Sequence, residues 1–147
     1  MNDGRLIENI LRELIVRFGD EHVVLRDDPQ RKMRLQALEE LLARFEVAGQ
    51  FLLVQGEEVT DSWEKRPVHI NAVNLERVVA PQHRDSVTDT IVRNMEAIQA
   101  EGERSGREVL AHLHHPNFGR GVTVTEVAAM PHERFFEVYN GHSCVRH

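Results

Sequence analysis

The stretch QFLLVQGEEVT, residues 50–60, decides the fold. Its first part, residues 50–56, is a short apolar run set between Gly49 and Gly56. That is the pattern of a strand buried on both faces of a parallel sheet. Two carboxylates, Glu57 and Glu58, follow directly. Ligands of α/β folds collect at the carboxyl ends of strands, so a glutamate there suits a metal or a substrate. Alternation sends Glu57 and Glu58 to opposite sides. The ordinary alternative is that both open a solvated loop.

On the N-terminal side, Leu6, Ile7, Ile10, Leu11, Leu14, Ile15 and Phe18 recur at helical spacing, with Asp3 as N-cap and Gly19 as stop. EHVVLRDDPQRK, residues 21–32, reads as an edge strand and a polar turn. A second amphipathic helix places Leu35, Leu38, Leu41, Leu42 and Phe45 on one face and ends at Gly49. On the C-terminal side, RPVHINAVN, residues 66–74, reads as a strand. A helix is expected over about 86–104, with Val87, Ile91, Met95 and Ile98 inward. GREVLAHLHHP, residues 106–116, is then a strand, Thr123 and Glu126 form a capping box, and RFFEVYNGH, residues 134–142, is a last strand. Strands alternating with helices predict an α/β protein with a largely parallel sheet. No helix follows the last strand to cover it, which leaves an exposed sheet edge open to self-association.

The chain has 147 residues, 41% of them hydrophobic and 29% charged, with a formal charge of -6. These values describe one globular domain, and the acidic balance argues against non-specific nucleic-acid binding. It leaves room for a small phosphorylated substrate held through metal ions. No apolar run is long enough for a membrane span, and the polar start MNDGRLIENI predicts no signal peptide. The lone Cys144 rules out an internal disulfide and favours a reducing, cytoplasmic setting.

Six of the nine histidines lie between His112 and His147. Three of them stand in AHLHHPNFGRGVT, residues 111–123. Alternation puts His112 and His114 on one face and His115 on the other, with Pro116 forcing His115 into an extended conformation. Three imidazoles at a strand end point to a site, and with carboxylates they form a ligand set for zinc, manganese or iron. His69, inside the preceding strand, is a core residue or a ligand that meets Glu58 at the same rim. His142 reads as a surface histidine.

At these residues the chain resembles the PHP (polymerase and histidinol phosphatase) family. GEEVT, HINAVN and HHPNFG resemble the family's glycine–x–Glu, ligand-strand and His-Pro elements. FFEVYNGH and RLQALEELLARFEVAGQFLLVQGEE resemble segments of a bacterial subgroup, and the likeness runs from about Phe18 onward. The resemblance implies part of a distorted, TIM-like β/α barrel with mostly parallel strands and flanking helices, and divalent metal ions (manganese, zinc or iron) at the strand ends. Glu58, His69 and His115 would be the ligands, with Glu58 and His115 catalytic. His114, Asn117 and His112 would orient substrate or a ligand imidazole. The implied activity is hydrolysis of a phosphate ester by a metal-activated water. The family's opening His-x-His and Asp-His motifs and its closing Asp-x-His pair have no counterpart here. Residues 1–147 are therefore expected to be the central portion of one PHP-like domain. A non-catalytic remnant that binds a partner is the alternative.

Overall fold

Strand pairing around residues 50–60 is antiparallel, and this overturns the parallel, barrel-like architecture expected from the sequence. The computed structural model describes residues 3–19, 36–130 and 135–142. It divides the chain into two compact units, Met1–Leu52 and Leu53–His147. The expected edge strand over 21–32 lies outside the described residues.

The first unit holds helices α1 (Asp3–Phe18) and α2 (Leu38–Phe45). Helix α1 ends as expected at Gly19, whose N–H donates to the Ile15 carbonyl at 2.8 Å. At the start of α2, Glu40 Oε2 accepts the Ala37 N–H at 2.7 Å, which satisfies one exposed donor of the first turn. Despite its apolar stripe, α2 has no buried residue. A tight turn then pairs Val47 with Phe51.

The strand expected over residues 50–56 is not formed. Residues 52–55 are irregular, and Phe51, Leu52 and Val54 are 52%, 71% and 45% exposed. Strand β1 (Gly56–Trp63) begins where the expected strand ended. It alternates, with Val59 and Asp61 buried and Glu58, Thr60 and Ser62 on the other face. A two-residue turn returns the chain into β2 (Arg66–Val73). Its central residues, Glu64 and Lys65, have φ of 45° and 67°, as a type I′ hairpin turn demands. Asn and Gly are the usual residues there, so Glu-Lys gave no turn signal.

Helix α3 (Val87–Ser105) crosses from β2 to β3 (Leu110–His114), which pairs antiparallel with β2. Among the described residues the sheet order is β1-β2-β3. Ser86 caps α3 by accepting the Asp89 N–H at 3.0 Å. The helix ends at Gly106, whose φ of 69° is the left-handed stop that glycine takes without strain. Val87, Ile91 and Ile98 pack on Val59, Val68, Ile70, Ala72, Ala111 and Leu113 to form the core. Burial at this level stabilises by about 1.5–3 kcal/mol per large side chain. All of it lies on one face of the sheet.

Beyond β3, a 3-10 turn (Phe118–Arg120) leads to the short helix α4 (Val124–Ala128), where the Thr123–Glu126 capping box is present. The strand expected over 134–142 reduces to one parallel bridge, Leu113 with Phe136. Val138 and Tyr139 are exposed, so no apolar face holds the chain against β3 for longer. Residue 134 and the end with Cys144 and His147 lie outside the described residues. No described helix is long and apolar enough to cross a membrane.

Candidate metal centre

With the core on one face, Glu58, Thr60, His69, Asn71, His112 and His114 share the other. The register aligns Glu58 with Asn71 and His112, and Thr60 with His69 and His114. Neighbours on one face of antiparallel strands interact directly and diagonally, so Glu58 meets the histidines although it is not level with them. His114 Nδ1 lies 2.8 Å from Glu58 Oε2, and His69 Nδ1 lies 3.2 Å from Glu58 Oε1.

His115 joins from the end of β3. Its φ is +24°, not the extended value expected before a proline. Alternation would have sent its ring away from His114, yet the two rings lie 3.9 Å apart, centre to centre. The positive φ breaks the strand geometry and brings both rings to one side. His115 Nε2 then sits 3.3 Å from His69 Nδ1 and 3.9 Å from Glu58 Oε2. Gly121 keeps the following loop close, since a Cβ there would lie 2.0 Å from the Pro67 carbonyl oxygen. Phe118 is thereby held over His69 and His115, at ring distances of 5.6 and 5.0 Å.

One donor atom each from Glu58, His114 and His115 falls within 4.8 Å of the others, and His69 stands beside them. A divalent ion with ligands at about 2.0–2.2 Å requires that spacing. Imidazole nitrogens with one carboxylate are the donor set of zinc, manganese or iron. Burial pushes the His69 pKa down; Glu58 opposes this, and the neighbouring His115 and His114 reinforce it. That direction favours the neutral imidazole, the form that binds a metal.

The sequence-predicted residues Glu58, His69 and His115 thus come together, but on the open face of an antiparallel sheet and not at the carboxyl rim of a parallel one. His114, read from sequence as an orienting group, offers Nδ1 to the same point. His112 lies on the same face, its Nε2 3.4 Å from Asn71 Nδ2. Asn117 heads the 3-10 turn and is not on the sheet. Glu57 faces the core side, where its carboxylate accepts the Val79 N–H at 3.2 Å.

Glu137 was not foreseen. Its Oε2 accepts the His115 N–H at 2.8 Å and stands 3.5 Å from His114 Nε2. Burial works to raise its pKa, but the Asn140 side chain and the His115 N–H outweigh burial and hold the group below the usual carboxylate range. The sequence signal was present in FFEVYNGH, where Glu137 alternates with Phe136 and Val138. What could not be read there is the bridge that lays this segment beside β3.

No family model, no curated protein and no solved structure matches this chain. The chemistry of the cluster is therefore read from its own residues.

Proposed function

We propose that Glu58, His114 and His115, with His69 beside them, bind a divalent ion of the manganese, zinc or iron type, and that the chain is a metal-dependent phosphoesterase of the PHP kind. The observation that carries the metal part is the convergence of one carboxylate and three imidazoles on one sheet face. The choice of phosphate ester rests on the resemblance of GEEVT, HINAVN and HHPNFG to the PHP elements. A bound divalent ion supplies Lewis acidity and a water of lowered pKa.

The chain's own groups have distinct parts in this reading. Glu58 balances the charge of the ion, and His69 turns Nδ1 toward Glu58 and His115 beside it. Phe118 covers the rings of His69 and His115 and excludes water from that side. His112, at the adjacent register position, and Asn117, in the turn, orient a small phosphorylated substrate. The single cysteine of the chain fits a reducing compartment such as the cytoplasm.

A second reading, a non-catalytic binding module, is favoured by one observation. Among the described residues the donors gather around a single point. A water that attacks phosphorus between two ions needs them about 3.5–4 Å apart, each with its own protein ligands. The two readings are separated by titration calorimetry with manganese or zinc and by hydrolysis of an aryl phosphate and a phosphodiester. Metal binding that His115→Ala abolishes, together with turnover, supports the phosphoesterase. Binding without turnover selects the module. Equal affinity in His115→Ala removes the site from this face.

A further inference from the structure

Glu137 stands outside every helix and strand, one residue past the bridge that ties Phe136 to Leu113. Two backbone hydrogen bonds fix this segment: Leu113 N–H to the Phe135 carbonyl at 3.1 Å, and Glu137 N–H to the Leu113 carbonyl at 2.9 Å. The carboxylate therefore approaches the cluster from the flank that β1 and β2 do not reach. Asn140 Nδ2 steadies it, 3.1 Å from Oε1 and 3.2 Å from Oε2.

Both histidines at the end of β3 need what this carboxylate offers. His115 carries a side chain and precedes a proline, yet holds φ at +24°. Such a conformation persists only when surrounding contacts over-determine it. With β3 ending at His114, the His115 N–H has left the ladder, and Glu137 Oε2 accepts it. His114 has two ring nitrogens, and Nδ1 is the one turned toward Glu58. A ligand histidine commonly gives its other N–H to a carboxylate, which fixes the ring and its tautomer. Glu137 Oε2 is on that side, 3.5 Å from Nε2.

We infer that Glu137 is the positioning residue of the metal site proposed above, on which this inference rests. It holds the His115 backbone in the turned conformation that brings its ring to His69 and Glu58. Its Oε2 also stands on the outer side of His114, 3.5 Å from Nε2, while the inner nitrogen is turned toward Glu58. One carboxylate thus flanks two consecutive imidazoles of the cluster.

The test compares wild type, Glu137→Ala and Glu137→Gln by zinc titration calorimetry, by the visible spectrum of the cobalt-substituted protein, and by amide exchange of metal-free His115. Glu137→Ala should weaken zinc by about 10–100-fold, the range for losing such a partner, and should alter the cobalt spectrum. Glu137→Gln keeps an oxygen for the His115 N–H, so zinc affinity should return to within about threefold of wild type. The His115 amide should exchange faster in Glu137→Ala and stay protected in Glu137→Gln. An unchanged amide in Glu137→Ala overturns the inference, as does a Gln variant as weak as the Ala variant. Zinc binding kept in Glu137→Ala overturns the inference alone. A wild-type chain that binds no zinc overturns the metal site and this inference together.

Discussion

Two carboxylates on β1, three residues apart, face opposite sides of the sheet and meet opposite fates. Asp61 points into the core side, its side chain 0% exposed. Four donors surround it: Ser62 N–H at 2.7 Å, Asn94 Nδ2 at 2.8 Å, His83 N–H at 3.1 Å and His83 Nδ1 at 2.7 Å. Glu58 faces the open side and meets His69, His114 and His115 instead. Both carboxylates have imidazole neighbours, so residue type does not separate them. Geometry does. Around Asp61 each oxygen has donors of its own, two of them rigid backbone N–H groups. Around Glu58 the imidazoles also crowd one another, with His69 Nδ1 and His115 Nε2 only 3.3 Å apart. A single proton on His69 Nδ1 cannot serve Glu58 and His115 fully. The first arrangement is complete as it stands. The second gains from a cation placed among its lone pairs.

The largest effect is expected from breaking the complete side. Asp61→Ala takes a partner from the buried Asn94 amide, which keeps its bond to the Thr90 carbonyl, and from the Ser62 and His83 N–H groups, and each donor left without a partner keeps its desolvation cost. Stability should fall by about 3 kcal/mol or more, read as a lower urea midpoint. The exposed ring of His83 will lose its anchor, but zinc affinity should stay as in wild type. A loss below about 1 kcal/mol would mean that Asp61 is no more structural than Glu58.

Glu58→Ala should show the reverse pattern. Glu58 is the most exposed member of the cluster, its side chain 36% exposed, so its removal costs the metal-free fold little, within about 1 kcal/mol. Zinc affinity should fall by about 100-fold or more, because the ion loses its only anionic ligand among the described cluster residues. Urea denaturation and titration calorimetry on the same sample check both halves. A large stability loss with intact zinc binding would exchange the roles assigned to the two faces.

This contrast explains how much of the molecule could be read from its sequence. Helix α3 was legible because Val87, Ile91 and Ile98 keep helical spacing. Strand β2 was legible because Val68, Ile70 and Ala72 alternate. Strand β1 was not, because its buried positions include Asp61, and a satisfied buried carboxylate reads as a solvated one in any hydropathy pattern. The neighbouring run FLLV took the strand assignment in its place, although most of it is exposed. With β1 displaced and Glu64-Lys65 giving no turn signal, the hairpin was hidden and the sheet was read as parallel. Glu58, His69 and His115 lie side by side all the same. The placing of His115 beside His114, and of Glu137 beside both, was hidden because each depends on one event, the positive φ at His115 and the bridge at Phe136.

Acid should sharpen the comparison through a different pair on the hairpin. Arg66 binds Glu126 of α4, with Nη1 2.9 Å from Oε1. The Arg66 guanidinium, joined by the Thr123 N–H and hydroxyl, draws the Glu126 pKa from 4.5 to about 2, against the opposing effect of burial. A carboxylate with a depressed folded pKa contributes stability that is complete above the unfolded value and lost as pH falls through the folded one. The stability gap between wild type and Glu126→Gln should therefore be full above pH 4.5 and shrink toward pH 2. At neutral pH it should be on the order of 1–2 kcal/mol, reduced by partial solvent screening. Urea midpoints across that range test it. A gap that stays constant with pH would show that packing, and not charge, holds α4 to the hairpin.

The smallest effect is expected at the cap of α4, where it tests whether the two faces are independent. Thr123 Oγ1 accepts the Glu126 N–H at 3.3 Å, a long bond on an exposed five-residue helix. The return bond, Thr123 N–H to Glu126 Oε2 at 2.7 Å, uses only the Thr123 backbone. Thr123→Ala therefore removes this bond and the 2.8 Å hydrogen bond that the Thr123 hydroxyl donates to Glu126 Oε2, but keeps the backbone bond that helps aim Glu126 at Arg66. The cost should be about 0.5–1 kcal/mol, near the low end for an N-cap. Zinc affinity should not change, because the loop between His115 and Thr123 has its own ties. Phe118 N–H donates to the His115 carbonyl at 2.8 Å, and Val122 N–H to the Pro116 carbonyl at 2.8 Å. These bonds hold the ring of Phe118 over the cluster whatever happens at the cap. A Thr123→Ala variant that loses zinc affinity by about tenfold, a coupling of some 1.4 kcal/mol, would show that α4 and the histidine face share one cooperative element.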